Sequence, residues 1–173
     1  TDSNGCNASD SVYIIQNDSI SLNSINTDIS CFGLNDGAIT INIISGGTSP
    51  FTYSDNNGQS FQSSNTFYNL GDGLYNFIVM DVNGCVNGIN ASINEPEELI
   101  VTISSVDVSC YGYCDGTALS TISGGVSPYS VQWGGVDTNN LCAGLVSLLI
   151  TDSNGCLSNE SVLISEPNPV IVN

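Results

Sequence analysis

The residues best placed to do chemistry are carboxylates, carboxamides and thiols. The chain offers little else: its 173 residues include 17 Asp plus Glu and not one Lys, Arg or His. These groups gather in one recurring stretch. Asp2-Ser3-Asn4-Gly5-Cys6, Asp81-Val82-Asn83-Gly84-Cys85 and Asp152-Ser153-Asn154-Gly155-Cys156 share the pattern Asp-x-Asn-Gly-Cys. Hard oxygen donors in an acidic chain are the material of a calcium site, which makes Asp81, Asn83, Asp152 and Asn154 its candidate ligands. The competing role is local: Asp and Asn in turns accept hydrogen bonds from their own backbone. The alternating ligands and distal Glu of an EF-hand loop are missing. Weak, diffuse divalent-cation binding over the charged surface fits the composition better than a built site, and no cofactor is called for.

Catalysis is hard to assemble from these residues. A Ser, Thr or Cys nucleophile needs a base, and there is neither His nor Lys to serve. Only paired carboxylates remain, and the Glu-rich patch Glu95-Pro96-Glu97-Glu98 reads as a solvated linker. Tyr129 and Trp133 could stack against a sugar, but aromatic residues on the third strand of a sandwich usually belong to the core. Nucleic acid and anionic membrane surfaces are excluded as partners, because nothing in the chain neutralises phosphate. Without cations there are no side-chain salt bridges, so a buried carboxylate must be hydrogen-bonded, protonated or metal-bound. No apolar run approaches the length of a membrane span.

The recurring stretch anchors an internal repeat. Its aspartates are 79 and 71 positions apart. Around it align Ile29-Ser30-Cys31-Phe32-Gly33 with Val108-Ser109-Cys110-Tyr111-Gly112, and Asp36-Gly37 with Asp115-Gly116. Ser45-Gly46-Gly47-Thr48-Ser49-Pro50-Phe51 aligns with Ser123-Gly124-Gly125-Val126-Ser127-Pro128-Tyr129, and each unit closes on Glu-Pro at Glu95-Pro96 and Glu166-Pro167. The expected organisation is the tail of a preceding repeat over 1–19, then whole repeats over 20–97 and 98–173. The chain thus reads as part of a longer array.

Apolar residues make up 40% of the chain and are patterned, which argues against disorder. Leu99, Val101 and Ile103 alternate with polar neighbours, predicting a strand over 99–104 with a further extended piece over 106–110. Strands are also expected over 117–122, 129–133, 145–151 and 161–165. The first repeat gives 20–22, 38–44, 51–53, 75–81 and 88–93. Short strands with turn signals every 8–12 residues predict an all-β fold of antiparallel β-sandwiches. Each repeat is small enough to need reinforcement, and seven cysteines in an acidic, polar chain read as disulfides of an oxidising compartment.

Taken together, Gly-Gly-x-Ser-Pro-Phe/Tyr, Asn-Leu-x-x-Gly-Leu (Asn69 to Leu74, Asn140 to Leu145), Asp-x-Asn-Gly-Cys and Glu-Pro resemble the SprB repeat. The resemblance covers both complete repeats and the leading tail. It implies tandem Ig-like sandwiches related to PKD modules, arranged end to end in a giant adhesin of gliding bacteria. It also implies type IX secretion, an extracellular cell-surface filament, and no catalytic residues. The partners would be neighbouring repeats and surface polysaccharide. The alternative function is a calcium-assisted carbohydrate-binding module.

In an Ig-like sandwich the A–B and E–F turns share one pole, and the B–C and F–G turns the other. Cys114 falls in the A–B turn and Cys142 in the E–F turn, where the first repeat has Asn35 and Gly71, so Cys114–Cys142 is the expected bond. Cys31 and Cys110 sit at the A–B pole, Cys85 and Cys156 at the F–G pole. Pairing within a repeat would span about 25 Å at ~3.3 Å per residue, whereas a disulfide needs Cα atoms within ~7 Å. Facing poles of successive repeats make Cys31–Cys156 a clip between them, leaving Cys6, Cys85 and Cys110 to partners outside the chain. The alternative keeps Cys31–Cys85 and Cys110–Cys156 within repeats. Asn-x-Ser sequons occur at Asn7, Asn17, Asn90 and Asn159. The resemblance implies instead an O-glycan signal of Asp-Ser/Thr-small apolar residue, which Ser11 and Ser19 fit.

Overall fold

A computed structural model describes residues 3–13, 16 and 18–172. Asp2 of the first Asp-x-Asn-Gly-Cys copy and Asn17 of the second sequon lie outside the described residues. The described secondary structure is all strand: β1 (Ser21–Thr27), β2 (Gly37–Ser45), β3 (Phe51–Ser54), β4 (Thr66–Leu70), β5 (Gly73–Asp81), β6 (Val86–Ile93), β7 (Ile100–Val106), β8 (Thr117–Ser123), β9 (Ser130–Gln132), β10 (Gly144–Thr151) and β11 (Leu157–Ile164). In the first repeat the sheets are ordered β1-β2-β4 and β3-β5-β6. In the second they are β7-β8 and β9-β10-β11, with Gly116 and Leu141 forming an isolated bridge where a further strand would lie. Both repeats therefore follow the A-B-E and C-F-G division of an Ig-like sandwich.

Three expectations needed correction. The last strand of the second repeat, expected to hold 161–165, runs from Leu157 to Ile164 and leaves Ser165 outside; it starts early because pairing resumes at once after the turn, with Thr151 facing Leu157 and Gly144 facing Ile164. That strand is an edge with most side chains exposed, so its sequence carries little alternation. The first strand of repeat 1 continues to Thr27 for the same reason. A strand also occupies 66–70, where the polar sequence promised little. Its Thr66 hydroxyl lies 3.0 Å from that of Thr40 on β2.

The chain divides into two compact units, one comprising 1–25, 41–65 and 76–90, the other 26–40, 66–75 and 91–173. The second unit joins one end of the first repeat to all of the second, so compactness does not follow the sequence repeat. In the first unit, β3 pairs antiparallel with β5 from Phe51↔Asp81 to Ser54↔Ile78. Among its described residues, Ile20, Ile41, Tyr53, Phe77 and Val79 are the buried apolar side chains.

In the second unit, Val146, Leu148 and Ile150 alternate along β10 and point inward, as a half-buried strand requires. They meet Val101 of β7, Ala118 of β8 and Ile164 of β11, with Val108 and Leu141 closing one end. Full burial of such aliphatic side chains stabilises by about 1.5–3 kcal/mol each. Beyond β7 the chain is not strand, yet it stays pinned: Val108 N–H donates to Ser165 O at 3.1 Å, and Asp107 Oδ1 accepts Ser165 N–H at 2.8 Å.

Candidate functional site

The Asp81–Cys85 and Asp152–Cys156 turns are three-residue hairpin loops. Asp152 N–H donates to Cys156 O at 3.0 Å, and Gly155 N–H to Asp152 O at 3.1 Å. Gly155 has φ +87° and Gly84 φ +83°, whereas Asn154 and Asn83 keep negative φ. This is a type I turn closed by a left-handed glycine, and of the Asn-Gly pair only Gly takes a positive φ.

The aspartate organises the loop. Asp152 is buried, and its Oδ1 accepts the N–H groups of Asn154 and Cys156, each at 2.9 Å. Its Oδ2 accepts Val126 N–H at 2.9 Å, tying the F–G turn to the B–C turn. Asp81 repeats the arrangement with Asn83 N–H at 2.9 Å, Cys85 N–H at 2.8 Å and Thr48 N–H at 2.9 Å. Burial pushes both carboxyls up. The amides of Cys85, Thr48 and Asn83 around Asp81, and of Val126, Cys156, Asn154 and Gly155 around Asp152, outweigh it and hold both below the usual carboxylate range. Both oxygens of Asp81 and of Asp152 thus accept N–H groups, which is the local turn role weighed against a cation held by Asp81, Asn83, Asp152 and Asn154. Among the described residues no three His, Cys, Asp or Glu side chains converge as metal ligands.

The opposite pole is built the same way. The Ser30 amide and hydroxyl both donate to Asp36, and those of Ser109 to Asp115; the hydroxyl and then the amide lower each carboxyl. Glu95 Oε1 accepts Gly33 N–H at 2.6 Å, and Glu166 Oε2 accepts Gly112 N–H at 3.0 Å. Asp28 Oδ1 accepts Asn94 N–H at 2.9 Å. With no cation available, these carboxylates take backbone amides as their positive partners. Glu95 is thus a cap for the Cys31 turn and not part of a solvated linker. Its recurrence as Glu166 was the available signal; residue type alone gave none.

The two kinds of turn meet within the second unit. Cys31 and Cys156 form a disulfide with Cα atoms 5.6 Å apart, and Asn154 Nδ2 donates to Ser30 O at 2.9 Å beside it. Gly125 N–H donates to Glu97 O at 2.9 Å, holding the segment that joins the repeats. Gly124, at φ +66°, lies so close to Glu98 O that a Cβ would collide with it. A cleft of about 430 Å³ beside the disulfide is lined by Phe32, Leu34, Pro96, Leu99 and Leu157 among others. The second disulfide joins Cys114 to Cys142. In the first repeat, the Asn35 carboxamide lies where a Gly71 Cβ would go.

The remaining candidates fall elsewhere. Cys6, Cys85 and Cys110 are exposed. Tyr129 packs against the core with its hydroxyl donating to Gly124 O at 2.7 Å, and Trp133 packs between the two apolar clusters, so neither forms a stacking platform. Ser11 and Ser19 are exposed.

Residues 23–60, running from β1 past β3 and including Cys31, Asp36 and the Gly46-Gly47 turn, match the family model of the SprB repeat. No curated protein matches the chain.

Proposed function

We propose, from the SprB repeat carried at residues 23–60 and the bond between Cys31 and Cys156, that the chain is a load-bearing stretch of consecutive repeats. It belongs to a long, acidic adhesin exported to the cell surface, where it serves adhesion and gliding without catalysing a reaction. The observation that carries this reading is the clip. A disulfide with a 125-residue separation joins the Ser30–Leu34 turn of one repeat to the Asp152–Cys156 turn of the next. Such a bond fixes the register of neighbours and gives tension a covalent route between them. The setting agrees: disulfides persist outside the reducing cytosol, and the −17 charge keeps a long thread soluble and extended by self-repulsion.

The test is made in the source cells. Antibody against this chain should label intact, unlysed cells. Deleting the repeats from the parent protein should reduce adhesion and gliding, and an equal length of foreign Ig-like repeats should restore them. Labelling confined to lysed cells would overturn the surface reading. Failure of the foreign repeats to restore function would overturn the spacer role.

A further inference from the structure

The junction uses one pole of each repeat and leaves the equivalent poles open. Cys110 occupies in the second repeat the place of Cys31 in the first, and the surrounding hydrogen bonds are the same. Tyr113 N–H donates to Cys110 O at 3.1 Å as Leu34 N–H does to Cys31 O at 3.1 Å. Gly112 has φ +76° and Gly33 φ +78°, each amide held by its glutamate. Where the first repeat presents Phe32, Leu34 and Pro96 to the clip, the second presents Tyr111, Tyr113 and Pro167. Tyr111 and Tyr113 are 57% and 59% exposed and flank a cleft of about 510 Å³ that reaches Pro169 and Val170. Cys85 stands in the first repeat where Cys156 stands in the second, on a turn with the same three amide bonds to its aspartate. Cys31 and Cys156 are half-buried, while Cys85 and Cys110 are exposed.

We infer that the Cys110–Tyr113 turn is the docking surface for an Asp-x-Asn-Gly-Cys turn of another copy of this repeat, and that Cys85 is the matching plug. The occupied junction supplies the register. The plug's cysteine bonds Cys110, and its asparagine (Asn83 in this chain) donates to Ser109 O as Asn154 does to Ser30 O. The bond forms by thiol–disulfide exchange with a small disulfide oxidant such as glutathione disulfide. The Cys110 thiolate attacks one oxidant sulfur and releases one thiol. The Cys85 thiolate of the other copy then displaces the second, so two thiols lose two electrons to one oxidant disulfide. The array would then extend by one clip per repeat. This deepens the load-bearing reading and rests on the same junction.

The test uses the full chain carrying Cys6→Ser, in a glutathione redox buffer, followed by a pepsin peptide map. Docking predicts Cys85–Cys110 bonds between chains in roughly tenfold or greater excess over Cys85–Cys85 and Cys110–Cys110 bonds, as ~1.4 kcal/mol of preference would give. Mixing Cys85→Ser with Cys110→Ser chains should stop assembly at dimers, and Asn83→Ala should lower the yield. As many homotypic as heterotypic bonds, or monomers alone, would overturn the inference. The Cys31–Cys156 peptide in the same map keeps the two readings apart. Its presence with no heterotypic bond sinks only this inference, and its absence sinks the load-bearing reading as well.

Discussion

At the scale of single residues, a chain without cations has solved the problem of placing carboxylates inside a fold by surrounding them with its own amides. Asp152 takes three N–H donors on two oxygens. Asp152→Asn keeps an acceptor for two of them but turns an NH₂ group toward the third donor. A buried donor without its bond is costly, so the unit's thermal midpoint should fall by roughly 5–10 °C, read by circular dichroism. An unchanged midpoint would contradict the role. The pH dependence has a definite sign. Asp36, Asp81, Asp115, Asp137 and Asp152 all have lowered pKa values. Their stabilisation is fully present above the unfolded carboxyl value of about 3.9, and is lost as pH falls through the lower folded values. The urea midpoint should therefore hold level from about pH 7.5 to 5, where His would titrate and there is none, and decline only below about pH 4. A midpoint that instead rises as pH falls from 6 to 5 would point to carboxyls with raised values.

At the scale of elements, the turns specify the structure more tightly than the strands do. Gly124 combines a left-handed φ with backbone contact against Glu98 O, so Gly124→Ala should destabilise by roughly 2–3 kcal/mol in chemical denaturation. Substitution at Gly135, also left-handed but in open space, should cost less. Asn35 and Gly71 offer the converse test. They hold the places of Cys114 and Cys142, and the Asn35 side chain reaches over Gly71. Asn35→Cys with Gly71→Cys should form a bond in the first repeat worth up to about 3–4 kcal/mol, seen as a raised denaturation midpoint lost on reduction. Inner strands were legible in the sequence because stretches such as β10 are strongly apolar. Edge strands β1 and β11 were underestimated, because exposed faces do not declare themselves in apolar spacing. The poles of successive Ig-like sandwiches face each other, which is why topology favours Cys31–Cys156 over a pair within one repeat. The role of Asp152 was read only as one option beside calcium, since a carboxylate looks the same in sequence whether amides or a metal will meet it. Glu95 was missed because its partner, Gly33 N–H, is 62 positions away and has no side chain to advertise it.

At the scale of the whole molecule, the clip decides which residues feel tension. A pull on the two termini runs along the chain to Cys31, crosses the disulfide to Cys156, and continues outward, so residues 32–155 lie outside the load path. The bond also removes the closure entropy of a loop of that length, worth about 4–5 kcal/mol in the chain-entropy account. Single-molecule pulling separates the effects. The oxidised chain should yield length only from the segments outside the bond. With Cys31→Ser the segment enters the load path, but the 28-residue separation bridged by Cys114–Cys142 stays locked, so about 300 Å should be gained at ~3.4 Å per residue. Reducing both bonds should raise the gain to about 400 Å. Equal extension of the oxidised chain and the Cys31→Ser chain would mean that tension does not cross between repeats through the sulfurs. The two steps, of different length and different chemical trigger, distinguish that outcome from simple weakening of the fold. Weakening would lower the unfolding force without changing the length released.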